Sequence, residues 1–339
     1  MNDFLVAGSL LEAARVARGL TQSQLASQTG IAQGVISKLE SGQLALDADR
    51  IEALARVLAV PRQLIDGTAL ASPHVRVFHR RQASLPAKVA NRLRAELGLA
   101  HLRASRLLLA PPPLDVPRMP LASPLETPSD KARELRKQWG VPSGPIDNMV
   151  SLVESHGVPC LAWDVASARV DAIASWPPGT HPLILLGLHA PGDRLRFTVA
   201  HELGHAVMHD VPSGDQEREA DEFAAEFLMP RLEVREILDG ATLPSLMKLK
   251  ETWGTSIAAL ARRARDVGAI SDSSYRRLNI ELSASGLRLR EPVEIPREQP
   301  TLVRTAIAAR LARGESLAAI AADAFIEPAE LRHCFLEAA

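Results

Sequence analysis

The chain has 339 residues, of which 46% are hydrophobic, 23% charged and only 4% aromatic, enough to build two or three helix-rich domains with buried cores. Two distant cysteines, Cys160 and Cys334, exclude a disulfide framework, and no apolar run or N-terminal segment predicts a membrane span or a secretory signal, so we expect a cytoplasmic protein without a membrane partner. The formal net charge of −1 hides an asymmetry, because 15 basic face 9 acidic residues over 1–125 (+6) and 24 face 31 over 126–339 (−7), which favours the front as the side that binds a polyanion.

Residues from about Gly8 to Gly67 predict a bundle of five short helices. Apolar residues recur at helical spacing, Gly19 and Gly30 mark chain reversals, and Thr21 is a suitable N-cap for the second helix. The first helix is predicted to end at Gly19, and the others cover residues 22–29, 32–41, 47–58 and a stretch after Pro61.

Two stretches of this bundle, Leu20–Ala26 (LTQSQLA) and Ile36–Gly42 (ISKLESG), resemble the Xre/Cro repressor family. The resemblance implies a domain that binds a double-stranded DNA operator with its third helix in the major groove, and a homodimer that reads paired half-sites. A bundle used only for protein contacts is the alternative, because the exposed face of the third helix is mostly uncharged. The residues expected at base edges are Gln33, Gly34, Ser37 and Lys38, and Gln22 is expected at a phosphate.

A basic run and then a proline run follow this bundle. Between His74 and Arg106 eight basic residues face only Glu96, so the segment is either a solvated helix face or an extension of the phosphate-binding surface. Seven prolines between Pro111 and Pro128 exclude helix and central strand and predict a semi-rigid extended linker. We therefore predict a DNA-binding domain over residues 1–70, and a basic helical segment with a Pro-rich linker over residues 71–128.

The next 60 or so residues predict two helices and a small sheet. The helices cover residues 129–139 and 146–156, and aliphatic or β-branched stretches at 158–165, 170–176 and 182–188 predict three strands. We expect this sheet to be antiparallel or mixed and to pack against the helix that follows it. Its edge would let an extended peptide substrate pair with it.

The segment from Asp193 to Pro230 carries the clearest chemical pattern, centred on His201-Glu202-Leu203-Gly204-His205. Residues four apart lie one turn above each other on a helix, so His201 and His205 can bind a single metal ion. Zinc binds neutral imidazole and lowers the pKa of its bound water to about 7, and Glu202 can take the remaining proton as general base. Two histidines at this spacing are also found as ordinary partly buried residues, but the acidic helix that follows favours the metal site.

A catalytic zinc site needs a third protein ligand, and the helix predicted over residues 216–229 offers Glu217. Glu217 shares a face with Asp221 and with small residues that allow a close neighbouring helix, so Glu217 is the predicted ligand and Glu219 the reserve. Asp221, one turn on, is expected to accept the second N–H of a zinc-binding histidine. His209 is expected to have a structural or substrate-facing role.

The stretches Arg196–His205 (RFTVAHELGH), Glu217–Ala225 (EREADEFAA) and Phe227–Pro230 (FLMP) resemble the ImmA/IrrE family of metallopeptidases. The resemblance implies a gluzincin-like domain in which two histidines and a glutamate bind Zn2+. It also implies a protein substrate, usually a specific repressor that is cleaved in response to stress or phage signals. One departure is Gly187-Leu188-His189, where the corresponding strand of the family often ends in asparagine.

Beyond Pro230 further helices are predicted, with a structural or partner-binding role. The fold expected is mainly α with a small α+β catalytic domain, in which a gluzincin-like zinc peptidase domain over residues 129–240 precedes a helical C-terminal region over residues 241–339. We expect a DNA-binding transcriptional regulator that carries a zinc-dependent endopeptidase. The alternative is a non-proteolytic repressor whose peptidase-like domain serves as a metal or ligand sensor or as a dimerisation module.

Overall fold

The computed structural model describes residues 3–66, 77–78, 86–109, 112–164, 170–176, 182–209, 214–288 and 290–337. The chain divides into two compact units that each gather distant segments of sequence. The first consists of Met1–Pro113, Gly157–Leu185 and Pro300–Ala339, and the second of Leu114–His156 and Leu186–Gln299. This division is based on spatial contacts. The four domains predicted over residues 1–70, 71–128, 129–240 and 241–339 stay a prediction.

The N-terminal bundle has the five predicted helices, which are α1 (Asp3–Ala17), α2 (Gln22–Thr29), α3 (Gln33–Glu40), α4 (Ala48–Leu58) and α5 (Arg62–Ile65). Thr21 caps α2 in a capping box with Gln24, and Gly30 ends α2 at a φ of 73°, a conformation that favours glycine. Leu25, Ile36 and Leu54 are fully buried between the helices. Local capping and apolar spacing therefore agree with the observed helix boundaries and core of this bundle.

One charged network lies inside the apolar core of the bundle. Arg15 of α1 donates from Nε and Nη2 to both carboxylate oxygens of Glu40 at 2.5 and 2.8 Å, and from Nη1 to the carbonyl of Leu20 at 2.8 Å. The side chains of both ions are less than a tenth exposed. Because each buried charge has a bidentate partner, the pair is satisfied internally.

The rest of the first unit is a four-stranded sheet covered by helices. The strands are β1 (Val77–Phe78), β2 (Cys160–Trp163), β3 (Ala172–Ser175) and β4 (Leu183–Gly187) in the order β1-β3-β4-β2, with β1 antiparallel to β3. Leu161, Ile173 and Leu183 share a buried core with helix α6 (Ala87–Leu107) and with the C-terminal helices, partners that the sequence did not predict. Those helices are α15 (Leu302–Ala312), α16 (Leu317–Asp323), α17 (Pro328–Leu331) and a π-helical turn over Arg332–Glu337.

Part of the predicted basic run is paired within this unit. Arg92 contacts Glu96 at 2.7 Å, and the buried Arg103 contacts Glu330 at 3.2 Å. Arg106 lies 3.8 Å from Asp323. These cations are engaged with acidic groups of α6 and the C-terminal helices, whereas Arg76, Arg80 and Arg81 lie outside the described residues. A role of this basic run in binding phosphate stays a prediction.

The second unit is helical. Its helices are α7 (Pro128–Gln138), α8 (Met149–Ser155), α9 (Gly192–Met208), α10 (Gln216–Leu228), α11 (Arg231–Val234), α12 (Leu243–Trp253), α13 (Ile257–Asp266) and α14 (Asp272–Ala284). Only Arg194 and Phe197 of α9 are not buried. Helix α9 is thus the central helix of this unit, although it carries histidines and a glutamate.

A glycine allows α9 and α10 to approach closely. A Cβ atom at Gly204 would lie 3.1–3.2 Å from atoms of Phe223 on α10, tighter than ordinary van der Waals contact. Phe223 is fully buried and stacks on Phe227, with ring centroids 5.7 Å apart. Because Gly204 has no side chain, α9 and α10 can pack closely at this point.

Contacts with the proline-rich stretch and with residues 291–298 lie at the two ends of α9. Met119, in the proline-rich stretch, donates its N–H to the carbonyl of Val207 at 2.8 Å, so this stretch is bonded to the end of α9. At the other end, Arg196 contacts Glu298 at 2.6 Å, and Lys250 bridges Asp193 and Glu291. Backbone and ionic contacts thus hold α9 at both ends.

Within the described part of the chain, no helix has the length and apolar composition to cross a bilayer.

Candidate metal centre

The two histidines predicted as metal ligands face each other inside α9. Their Nε2 atoms lie 3.1 Å apart and both side chains are fully buried. The rings are nearly perpendicular, with centroids 4.7 Å apart. The spacing of His201 and His205, one turn of helix, brings the two nitrogens to one point.

Glu217 completes the predicted set from α10. Its Oε1 lies 3.4 Å from His205 Nε2 and its Oε2 lies 3.7 Å from His201 Nε2. One ligand atom from each of the three residues lies within 4.8 Å of the others. The close packing of α9 and α10 at Gly204 brings this carboxylate to the histidines.

The outer nitrogen of His201 contacts the residue that the sequence assigned to it. His201 Nδ1 lies 2.9 Å from Asp221 Oδ1, and Arg262 of α13 lies 3.6 Å from Asp221 Oδ2. A carboxylate accepts hydrogen bonds, so the Nδ1 of His201 carries a proton, and its Nε2 has a lone pair whenever the imidazole is neutral. Asp221 therefore orients the first histidine towards Glu217.

The outer nitrogen of His205 has a different partner, which the sequence did not reveal. His205 Nδ1 lies 2.9 Å from His209 Nδ1, and His209 Nε2 lies 2.9 Å from Glu219 Oε2. Glu219, the reserve ligand in the sequence analysis, therefore contacts His209. His209 follows the last residue of α9 in an extended conformation, so helical periodicity could not place its side chain.

Glu202 has a buried and partly unsatisfied carboxyl group. The residue is 1% exposed, and its Oε2 atom has no hydrogen-bond partner among the described residues. Burial raises the pKa of Glu202 to about 8, although the nearby His201 opposes this rise. A proton acceptor of this kind is suited to acid–base chemistry near neutral pH.

The direction of the pKa shift differs between the two candidate histidine ligands. Burial alone would lower the pKa of His201, but the hydrogen bond to Asp221 and the nearby carboxylate of Glu217 outweigh it and raise that pKa to about 9. Burial would raise the pKa of Glu217, yet the two nearby imidazoles lower it to about 2. Burial lowers the pKa of His205 and of His209. The carboxylates beside His201 therefore favour a positive charge at that imidazole.

The donor set fits zinc. Two nitrogens held about 2.0–2.1 Å from a tetrahedral ion lie about 3.3 Å apart, and the observed separations are 3.1 Å between the imidazoles and 3.4 Å between His205 and Glu217. Two imidazoles with one carboxylate are also a usual catalytic zinc set. The unpartnered Oε2 of Glu217 leaves an oxygen for the same ion.

The residues predicted at DNA lie in the N-terminal bundle. Gln22, the first residue of α2, donates from Nε2 to Glu40 and accepts from Gln33 Nε2, both at 2.8 Å. On α3, Gln33, Gly34 and Lys38 are exposed and Ser37 is half-buried. The buried Arg15–Glu40 pair thus holds Gln22, which in turn holds Gln33. Their contacts to DNA stay a prediction.

In a comparison with known proteins, two family models match separate regions of the chain. Residues 11–65 match the helix-turn-helix family model, and residues 153–265 match a peptidase family model described as the IrrE N-terminal-like domain. Searches of curated proteins and of solved structures gave no match. The second match contains α9, α10 and the three candidate ligands. The chain therefore joins a helix-turn-helix domain of the Xre type to a peptidase-family domain of the ImmA/IrrE type, as its sequence motifs predicted.

Proposed function

We propose that the chain is a cytoplasmic DNA-binding transcriptional regulator whose ImmA/IrrE-type domain is a zinc-dependent endopeptidase. The observation that carries this proposal is the convergence of two buried imidazole nitrogens and one carboxylate at one point, with the buried Glu202 next to His201 on the same helix. Such a group has no evident use in packing alone, because buried polar atoms without partners destabilise a fold. Its substrate would be a specific protein, a repressor, cleaved in a stress or phage response.

His201, His205 and Glu217 would hold the metal ion. When bound, zinc supplies a Lewis acid that polarises the scissile carbonyl and makes water more acidic. Asp221 keeps His201 in the tautomer that leaves its Nε2 free to bind. Burial of the histidines excludes bulk water and strengthens the local electrostatic interactions.

Glu202 would move the proton during hydrolysis. Its carboxylate takes a proton from water while the water oxygen forms a bond to the carbonyl carbon of the peptide. When the C–N bond breaks, Glu202 returns that proton to the leaving nitrogen, so the side chain ends in its starting state. Its buried position beside the ligands, and a pKa raised to about 8, support this role.

The change Glu202→Gln tests the proposal. The substitution should lower the rate of cleavage by about 10²–10⁴-fold, the usual contribution of a general base, while zinc content and DNA binding stay unchanged. The assay incubates the full chain, with one equivalent of zinc, with candidate repressor proteins encoded near its gene and looks for a defined cut. If Glu202→Gln left regulation in the cell intact, proteolysis would not be the output, and the domain would act as a sensor or a dimerisation module.

DNA binding is proposed to use α3 and the first residue of α2 in a homodimer. Half-sites one helical turn apart, about 10 base pairs, are expected for a two-fold pair of such domains. The exposed Lys38 and Gln33 would contact the major groove and Gln22 a phosphate. Light scattering of the full chain with and without operator DNA would test the dimer, and a monomer on DNA would contradict it.

A further inference from the structure

The two candidate histidine ligands differ in how their outer nitrogens are held. Asp221 contacts His201 Nδ1 directly at 2.9 Å. His205 Nδ1 contacts a second imidazole, that of His209, and a carboxylate comes only after it. Both carboxylates, Asp221 and Glu219, belong to α10. The same helix therefore ends both hydrogen-bond chains.

The distances assign a direction to the longer chain. Ionised Glu219 can only accept, so the proton between it and His209 lies on His209 Nε2. A neutral imidazole has a single N–H, which leaves His209 Nδ1 as an acceptor. The 2.9 Å contact between the two Nδ1 atoms then requires that His205 Nδ1 donates. With its proton on Nδ1, His205 has its lone pair on Nε2, the atom that lies 3.4 Å from Glu217.

The reverse direction would prevent metal binding. Were the proton of His209 on Nδ1, it would donate to His205, whose own proton would then lie on Nε2. That N–H would point at His201 Nε2 from 3.1 Å, where a cation has to bind. Glu219 disfavours this arrangement because it would place a lone pair of His209 against a carboxylate oxygen.

We propose that His209 and Glu219 are positioning residues that fix the Nδ1–H tautomer of His205 and so keep its Nε2 available for the metal ion. This inference rests on the proposed metal site and extends it to a second pair of residues. The backbone N–H of His209 already bonds to the carbonyl of His205 at 3.0 Å. A substitution of the His209 side chain therefore leaves the backbone bond at the end of α9 in place.

The zinc affinity of four variants tests this relay, the chain of hydrogen bonds from Glu219 through His209 to His205. Chelator competition should show that His209→Leu weakens zinc binding about ten- to a hundredfold, the usual cost of losing a residue that supports a ligand. Glu219→Gln should weaken it by about threefold to tenfold, because an amide can accept from or donate to His209 and no longer selects a tautomer. His209→Gln, whose amide oxygen can accept from His205, should lie close to the native affinity. Glu222→Gln, on the same helix but bonded to Ser129, is the matched control and should change nothing.

A second measurement separates positioning from a purely structural role. In the zinc-free full chain, ¹⁵N chemical shifts of labelled histidines should show the proton of His205 on Nδ1 in the native protein and a mixture of tautomers in Glu219→Gln. Thermal unfolding of zinc-free Glu219→Gln should match that of Glu222→Gln.

Native affinity in both His209→Leu and Glu219→Gln would overturn the relay, as would a proton on Nε2 of His205 in the native protein. Failure of the native chain to bind zinc would overturn both the relay and the proposed peptidase. If zinc bound tightly and the variants showed the expected order of affinities, but no cleavage occurred, only the proposed peptidase activity would be wrong.

Discussion

Both the N-terminal bundle and the α9–α10 pair bury charged groups, but only the bundle satisfies them. Arg15 and Glu40 bond to each other through two contacts, and Gln22 and the Leu20 carbonyl take up the remaining groups. In the α9–α10 pair, Glu202 Oε2 and Glu217 Oε2 are buried and have no hydrogen-bond partner among the described residues. A completed network stabilises a fold, whereas an incomplete one indicates a group that has still to bind.

The first difference between the two regions should be all-or-none: zinc should bind at the α9–α10 pair and leave the N-terminal bundle unaffected. Native chain should retain about one zinc ion after dialysis, since the α9–α10 site offers one set of ligands, and zinc at a hundred times its dissociation constant should stabilise it by about 2.7 kcal/mol. His201→Ala should lose both effects because one imidazole is removed. Elemental analysis and thermal unfolding measure the two quantities.

The control for this experiment is His333→Ala, which changes an exposed histidine far along the sequence. It should behave as native. Equal, substoichiometric zinc in the native chain and in His201→Ala would remove the metal site from the α9–α10 pair.

The second effect concerns the completed network. Glu40→Leu should destabilise the N-terminal bundle by about 3–5 kcal/mol, because it leaves the buried guanidinium of Arg15 without its carboxylate. Hydrogen exchange of peptides from α1–α3 in the full chain reports this loss locally. Glu52→Leu, which removes a surface carboxylate whose contacts to Arg56 and Arg62 are 3.9 and 3.7 Å, should cost less than about 1 kcal/mol.

The third and smallest effect should have the opposite sign. In metal-free protein, Glu202→Leu should stabilise α9 by about 1–3 kcal/mol, because it removes a buried polar group that lacks a partner. Hydrogen exchange of α9 peptides in the presence of a chelator measures the change. If Glu202→Leu destabilised α9 as Glu40→Leu destabilises the bundle, the contrast between the two regions would be wrong.

Helical periodicity was enough to predict the groups that converge at the candidate metal site. His201 and His205 lie one turn apart, and Glu217 and Asp221 repeat that spacing on the next helix, so a close approach of two helices places all four. The same reasoning predicted the five helices of the N-terminal bundle, where capping residues such as Thr21 mark the boundaries.

The contacts that sequence could not predict are those made outside regular helices or between distant segments. His209 lies just beyond α9, and its bond to Glu219 depends on how the chain turns between the two helices. The cores of the sheet and α6 join strands to helices more than a hundred residues away. Neither arrangement leaves a periodic pattern, because the chain conformation between the partners decides it.

Helix α10 supplies three carboxylates, Glu217, Asp221 and Glu219, that contact the histidines of α9 and His209 just beyond it. Sliding α10 along its axis by one residue, about 1.5 Å, would change all of these contacts together. The geometry of the centre therefore depends on the register of the two helices, and a change of that register would disturb its contacts as a set.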